Sequence, residues 1–129
     1  MATVELSAET FDQTIEGNDI VLVDFWAAWC GPCRMFGPVF DESSTKHADV
    51  VHAKVDTEAE QELAGGMGIN SIPTLMAFRD GILVFSQPGA LPAAALEQVV
   101  TAVKDLDMDE ARPKVAEHEG AQHEGAQQA

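Results

Sequence analysis

The 129-residue chain has only two cysteines, seven basic side chains and no apolar run long enough to cross a bilayer. Each scarcity excludes something. A bilayer span takes about 20 consecutive apolar residues. The opening MATVELSAET carries neither the basic nor the apolar region of an export signal, so the expected location is the cytoplasm. Seven Lys and Arg against 22 acidic residues give a formal charge of −15, whereas nucleic acid and anionic membranes reward clustered cations. Neither is expected as a partner. Such a charge balance points to solubility and biased encounter, not to a specific acidic function. The two cysteines, Cys30 and Cys33, are separated by two residues. A structural bridge across so short a loop would constrain almost no chain, so in a reducing compartment this pair is better read as a reaction centre.

The stretch around the pair, IVLVDFWAAWCGPC at 20–33, is the most informative in the chain. Ile20 to Trp26 is a succession of apolar residues broken only by Asp24, the pattern of a strand buried on both faces. After Cys33 the spacing turns helical, with Met35, Phe36, Val39 and Phe40 assigned to one apolar face. The thiols therefore sit where a strand hands over to a helix. Free N–H groups and the helix dipole favour negative charge there, which makes Cys30, expected at the exposed helix start, the candidate nucleophile. Cys33 is expected one turn inward. Gly31 and Pro32 neither ligate metal nor carry protons, but a stiff two-residue spacer keeps Cys33 within disulfide reach of Cys30. Asp24 is out of place in such a strand: burial penalises its charged form and raises its pKa. On the residues alone, a hydrogen-bonded core carboxylate and a proton-transfer group are equally good accounts of it.

Periodicity and punctuation place the other elements. Val4–Leu6 is expected as an edge strand, with Ser7 as N-cap of a helix carrying Phe11 and Ile15 and with Leu6 stapled to Phe11. Gly17-Asn18-Asp19 ends that helix. Pro38, following Gly37, should kink the helix after Cys33. Val50–Val55 is a further strand, and Thr57-Glu58-Ala59-Glu60 a capping box for a short acidic helix ending at Gly65-Gly66. Leu75–Phe78 and Ile82–Phe85 form a hairpin across Arg79-Asp80-Gly81, preceded by Pro73, on sequence alone a plain strand-start proline. Pro92 opens a last helix whose stripe Leu96, Val99, Val100, Val103 and Leu106 is assigned to the core. Past Leu106 aromatics vanish and His-Glu-Gly-Ala-Gln recurs at 118–122 and 123–127. The expected organisation is one folded domain over 1–106 and an acidic, disordered tail over 107–129.

FWAAWCGPC, with Asp24 before it and Pro38 after it, resembles the redox site of the thioredoxin family. Ala53-Lys54-Val55-Asp56, Gly68-Ile69, Ser71-Ile72-Pro73-Thr74, Phe78-Arg79-Asp80-Gly81 and Gly89-Ala90-Leu91 follow in that family's order and spacing. CGPCR, HAKVDTEAE and QPGALP are most similar to actinobacterial members. The resemblance implies an α/β thioredoxin fold, a central mixed β-sheet flanked by helices on both faces. It implies a protein-disulfide reductase with no bound cofactor, whose Cys30–Cys33 pair cycles between dithiol and disulfide. Asp24 would exchange protons with Cys33 through water, beside Lys54. Pro73 would be a cis proline facing the sulfurs and shielding them from metal, Ile72 would offer its backbone to a client, and Gly89 would permit close approach opposite. Trp26 and Trp29 would shape the site, with Trp29 the client contact. Gly37, where many members have alanine, and Pro88, where valine is usual, depart from the pattern. Electrons would come from NADPH through thioredoxin reductase. Clients would be proteins such as peroxiredoxin, methionine sulfoxide reductase or ribonucleotide reductase, met by a monomer.

Three other readings compete. A zinc module could join Cys30 and Cys33 to His118 and His123, although more than eighty residues separate the two halves. A docking subunit would act whatever its redox state. A disulfide oxidase or isomerase would keep the chemistry and reverse it, but the Gly-Pro spacer and the lack of an export signal favour a reductant. His47 and His52 are read as surface or packing residues.

Overall fold

The structure, a computed structural model, describes residues 2–112. Its elements run β1 (Thr3–Glu5), α1 (Phe11–Glu16), β2 (Ile20–Trp26), α2 (Gly31–Lys46), β3 (Val51–Asp56), α3 (Gln61–Gly66), β4 (Thr74–Arg79), β5 (Ile82–Pro88) and α4 (Ala93–Asp105). They form one mixed sheet in the order β1-β3-β2-β4-β5, with β1, β3 and β2 parallel, β4 antiparallel to β2 and β5 antiparallel to β4. The uninterrupted apolar run of β2 follows from its central place. Val21, Val23 and Phe25 pack on the side of Phe11, Ile15 and Phe78. Leu22, on the opposite face, packs with Phe36 and Phe40 of α2 and with Leu96, Val100 and Val103 of α4. Burying each such side chain contributes about 1.5–3 kcal/mol, so the two faces together fix both the register of β2 and the side on which α2 lies. Asp24 belongs to the Leu22 face and therefore lies on the α2 side of the sheet.

Several local expectations give way to tertiary contacts. Ser7 does not cap α1: its carbonyl accepts the N–H groups of Thr10 and Phe11 in a turn, and helix begins only at Phe11. Nor does Thr57 open a capping box. Its hydroxyl donates to the Trp26 carbonyl (3.0 Å), while Asp56 accepts the N–H groups of Glu58 and Ala59. Met35 leaves the apolar face expected for it and is 74% exposed, because the buried side of α2 is set by Cys33, Phe36 and Phe40. Helix continues through Pro38, which lies inside the 16-residue α2. Of the α4 stripe, Leu96, Val100 and Val103 are buried. Val99 packs half-buried against the same core, and with Val103 and the half-buried Leu106 it lines an open apolar groove beside Val84, Phe85 and Leu91. His52 is a packing residue, wholly buried, its ring held by Ser43 Oγ (2.9 Å) and the Val50 carbonyl (3.0 Å). His47 is half-buried against Glu97 and Lys104.

Packing continues past Leu106. Residues 108–112 are helical, Met108 is buried, and Arg112 donates to Asp80 at the β4–β5 turn (3.1 Å). Asp107 accepts the N–H groups of Asp109 and Glu110, as an N-cap does. The chain thus keeps its contacts with the body at least six residues beyond the point where composition changes. The repeats at 118–127, with the disorder expected of them, lie outside the described residues.

Candidate redox site

The site is made by the connection from β2 into α2. Cys30 has extended backbone (φ −86°, ψ 115°) and is the N-cap of α2, and Pro32 occupies the first turn, where a missing N–H costs nothing. The Cys33 N–H points at Cys30 Sγ, 3.2 Å away. Cys30 and Cys33 are joined in a disulfide with their Cα atoms 5.2 Å apart. The structure is therefore that of the oxidised form.

The contrast in exposure expected between the two cysteines is absent. Each shows 4% of its surface, because Ala27, Trp26 and Ile72 pack around the pair. What distinguishes them is position: Cys30 Sγ caps the helix, whereas Cys33 is in its first turn. The Ile72–Pro73 peptide is cis, and the Ile72 carbonyl oxygen lies 3.7 Å from Cys30 Sγ. Gly89 donates its N–H to the Pro73 carbonyl (2.7 Å) at φ +101°, a conformation that favours glycine. A β-carbon there would meet nothing within 4 Å, so the requirement for glycine is one of backbone shape and the space above it is open. Pro88 is the last residue of β5, exposed and paired with Thr74.

Trp29 is 65% exposed, and its indole N–H donates to Glu58 (2.5 Å). Trp26 is half-buried, and the Lys54 ammonium lies 5.2 Å from its ring centroid. Asp24 is wholly buried and neither of its oxygens has a hydrogen-bond partner within the protein. Lys54, at the paired position of β3, brings Nζ to 3.8 Å from Asp24 Oδ2. Burial pushes the Asp24 carboxyl up to about 7; Lys54 opposes that rise, while the charges of Asp41 and Glu5 add to it. A carboxyl with that value is half-charged near neutral pH and can both take and give a proton. Gly37 borders the same cluster: a β-carbon there would stand 3.8 Å from Lys54 Nζ.

The structure thus gathers Cys30, Cys33, Gly31, Pro32, Trp26 and Ile72 at one end of the sheet, with Pro73 and Gly89 joined beside them and Asp24 and Lys54 beneath α2. Sequence reasoning missed Glu58, which holds Trp29, and Glu5 and Asp41, whose charges reach Asp24. No motif gives these three a place at the site, since acidic residues are common throughout the chain and only tertiary contact singles them out. Among the described residues, no cluster of three or more His, Cys, Asp or Glu side chains could hold a metal ion. The histidines of the zinc alternative, His118 and His123, lie outside those residues. No described helix is long and apolar enough to cross a membrane.

The thioredoxin family model matches residues 2–102. A protein of the actinobacterium Streptomyces coelicolor named for thioredoxin is 56% identical over 118 residues, covering 92% of this chain and 88% of its own. An alignment of that length runs past Leu106, so the similarity is not confined to the first 106 residues as the motifs suggested. The thioredoxin of Bacillus subtilis is 42% identical over 102 residues, 78% of this chain and 96% of its own. Among solved structures, Plasmodium falciparum thioredoxin superposes with a TM-score of 0.72 at 34% identity, covering 77% of this chain and 97% of that one. By the match over most of its length, the mixed sheet and the Cys-Gly-Pro-Cys disulfide at the start of α2, the chain belongs to the thioredoxin family of protein-disulfide oxidoreductases.

Proposed function

We propose that the chain is a cytoplasmic protein-disulfide reductase in which Cys30 attacks, Cys33 resolves and Asp24 handles the proton. The observation that carries this division of labour is the Cys33 N–H aimed at Cys30 Sγ from the first turn of α2. In the reduced protein that N–H and the helix terminus favour negative charge on the Cys30 sulfur, as its role as attacking thiolate requires. The Cys30 thiolate attacks one sulfur of a client disulfide: a Cys30–client bond forms, the client bond breaks, and the other client sulfur leaves as a thiolate and is protonated. Cys33 then loses its proton to Asp24, through water, and attacks Cys30 Sγ. The second client sulfur leaves with its electron pair. Two electrons have passed to the client, and the protein is left as the Cys30–Cys33 disulfide seen here.

The buried, half-charged Asp24 supports its role as acceptor, since a base titrating near neutral pH is matched to the task. Trp29, exposed and oriented by Glu58, and the open space above Gly89 flank the sulfurs and serve as client contacts. Ile72, its carbonyl beside Cys30 Sγ, presents backbone to an extended client segment. We assign residues 1–112 to the catalytic unit, acting as a monomer and recharged from NADPH by thioredoxin reductase, with clients of the peroxiredoxin, methionine sulfoxide reductase or ribonucleotide reductase kind. Turnover of insulin disulfides with NADPH and a thioredoxin reductase tests the reading. NADPH consumption dependent on both cysteines is the expected result, and none at micromolar protein would overturn it in favour of a redox-independent docking role.

A further inference from the structure

Three strands place charged residues side by side on the α2 face of the sheet. Glu5 of β1 pairs with Lys54 of β3, and Lys54 pairs with Asp24 of β2, so one lysine has an acidic residue at the paired position on each neighbouring strand. Paired positions on neighbouring strands are about 5 Å apart and their side chains share a face. Lys54 is not committed to Asp24: at 3.8 Å it forms an ion pair without a hydrogen bond, and it also lies over the Trp26 ring. Because neither Asp24 oxygen has a hydrogen-bond partner in the protein, what acts on its proton is burial first and then the field of its charged neighbours. Those neighbours are few. β4 contributes only apolar Leu75 at the paired position, α2 contributes Asp41, and β3 contributes Lys54, while Asp56 of β3 acts on Glu5. Glu5, at the open edge of the sheet, completes the set.

We propose that Glu5 is a positioning residue of the redox cycle: from the paired position on the far side of Lys54 it competes with Asp24 for the lysine and so sets how firmly Lys54 serves the buried carboxyl. The directions agree. The negative charge of Glu5 disfavours the Asp24 anion, Lys54 favours the anion of each carboxylate, and Glu5 is itself held above its ordinary value, chiefly by the partial loss of water around its carboxylate. Glu5 is also the solvent-side member, exposed on the edge strand while Asp24 is sealed. Its influence is therefore open to screening by salt in a way that contacts inside the core are not.

The assignment rests on Asp24 being the proton acceptor only for its effect on turnover; its electrostatic content is tested directly. The Asp24 carboxyl carbon is followed by NMR titration of the oxidised full-length protein in the native form and in Glu5→Gln and Glu5→Lys. A two- to fivefold loss of Asp24 proton affinity is expected for Glu5→Gln, on the order expected for removing one charge near the surface. Glu5→Lys should lose more, and both differences should shrink at 1 M salt. A purely structural role for Glu5 would not give a shift graded by charge and screened by salt. Identical Asp24 midpoints in the three proteins overturn the proposal. If the midpoints move while the pH profile of client release does not, Glu5 keeps its hold on Asp24 and it is Asp24 that drops out of the cycle.

Discussion

Lys54 and Asp24 face each other across paired positions of β3 and β2, yet Nζ stops 3.8 Å from Oδ2 and no hydrogen bond forms. An ion pair of this kind recovers only part of what burial takes from a carboxylate. The consequence is a side chain whose folded-state value, about 7, lies well above the ordinary 3.8. The sign follows. A carboxyl raised on folding binds more protons in the native state than in the unfolded one, so its contribution to stability falls as pH rises from about 4 to about 7 and stays low above that.

Asp24→Asn removes this cost. The linkage penalty above pH 7 is on the order of 4 kcal/mol, and a buried amide without partners gives back about 1–3 kcal/mol. The variant should be more stable than the native protein by roughly 1–3 kcal/mol at pH 8 and no more stable at pH 4. Urea midpoints at pH 4, 6 and 8, compared as differences between the two proteins, isolate this residue from the other carboxylates. The same variant should slow client release most above pH 7, where the native Asp24 is charged and able to accept a proton. A constant difference in stability across pH would show that Asp24 does not titrate with folding.

The cysteines should fail in different ways. Cys30→Ser removes the sulfur that receives the Cys33 N–H at the helix start, and it should abolish insulin reduction without producing adducts. Cys33→Ser keeps that start and loses only the second attack, so it should accumulate mixed disulfides with clients, visible on non-reducing gels. Adducts formed by Cys30→Ser and not by Cys33→Ser would reverse the assignment.

Gly37 sits inside α2, where glycine costs about 0.5–1 kcal/mol relative to alanine. A β-carbon there meets only Lys54 Nζ at 3.8 Å, an ordinary contact with the end of a flexible side chain. Gly37→Ala should therefore raise Tm by a few degrees, by roughly that free energy spread over a domain of this size. A lower Tm, measured by calorimetry, would mean that the added methyl disturbs the Lys54–Asp24 pair.

How much of this was legible in the sequence depended on whether a signal was local or tertiary. The β2 run, the helical spacing after Cys33 and the Cys-Gly-Pro-Cys placement between them carried the site, because burial on both faces of a central strand leaves a continuous apolar trace. Asp24 stood out for the same reason. Caps failed at Ser7 and Thr57 because a hydroxyl near a helix start has several partners within reach: Ser7 turns to the Thr10 hydroxyl, and tertiary position chose the Trp26 carbonyl for Thr57. Period alone assigns Met35 and Leu106 to buried faces, and period cannot tell a packed face from a solvent-facing one, as at Met35, or from an open groove, as at Leu106. Glu5 became visible only through its register opposite Lys54.

The segment after Leu106 yields the last prediction, in which the position of the cut decides the outcome. Arg79 donates to the carbonyls of Val103, Lys104 and Leu106 and so closes the end of α4, while Met108 is buried and Arg112 reaches Asp80. Truncation after Leu106 removes the buried methionine and the Asp80 contact. A methionine side chain buried to this degree is worth about 1.5–3 kcal/mol, and an exposed ion pair adds less than about 1 kcal/mol. Tm should fall by several degrees. Truncation after Arg112 removes 17 residues that include no aromatic and only one branched aliphatic side chain, Val115, and should leave Tm unchanged. Both truncated proteins should reduce insulin at the native rate well below their melting points, because every residue placed at the redox site precedes Leu106. Equal melting temperatures for the two cuts would show that Met108 contributes nothing to the body of the fold.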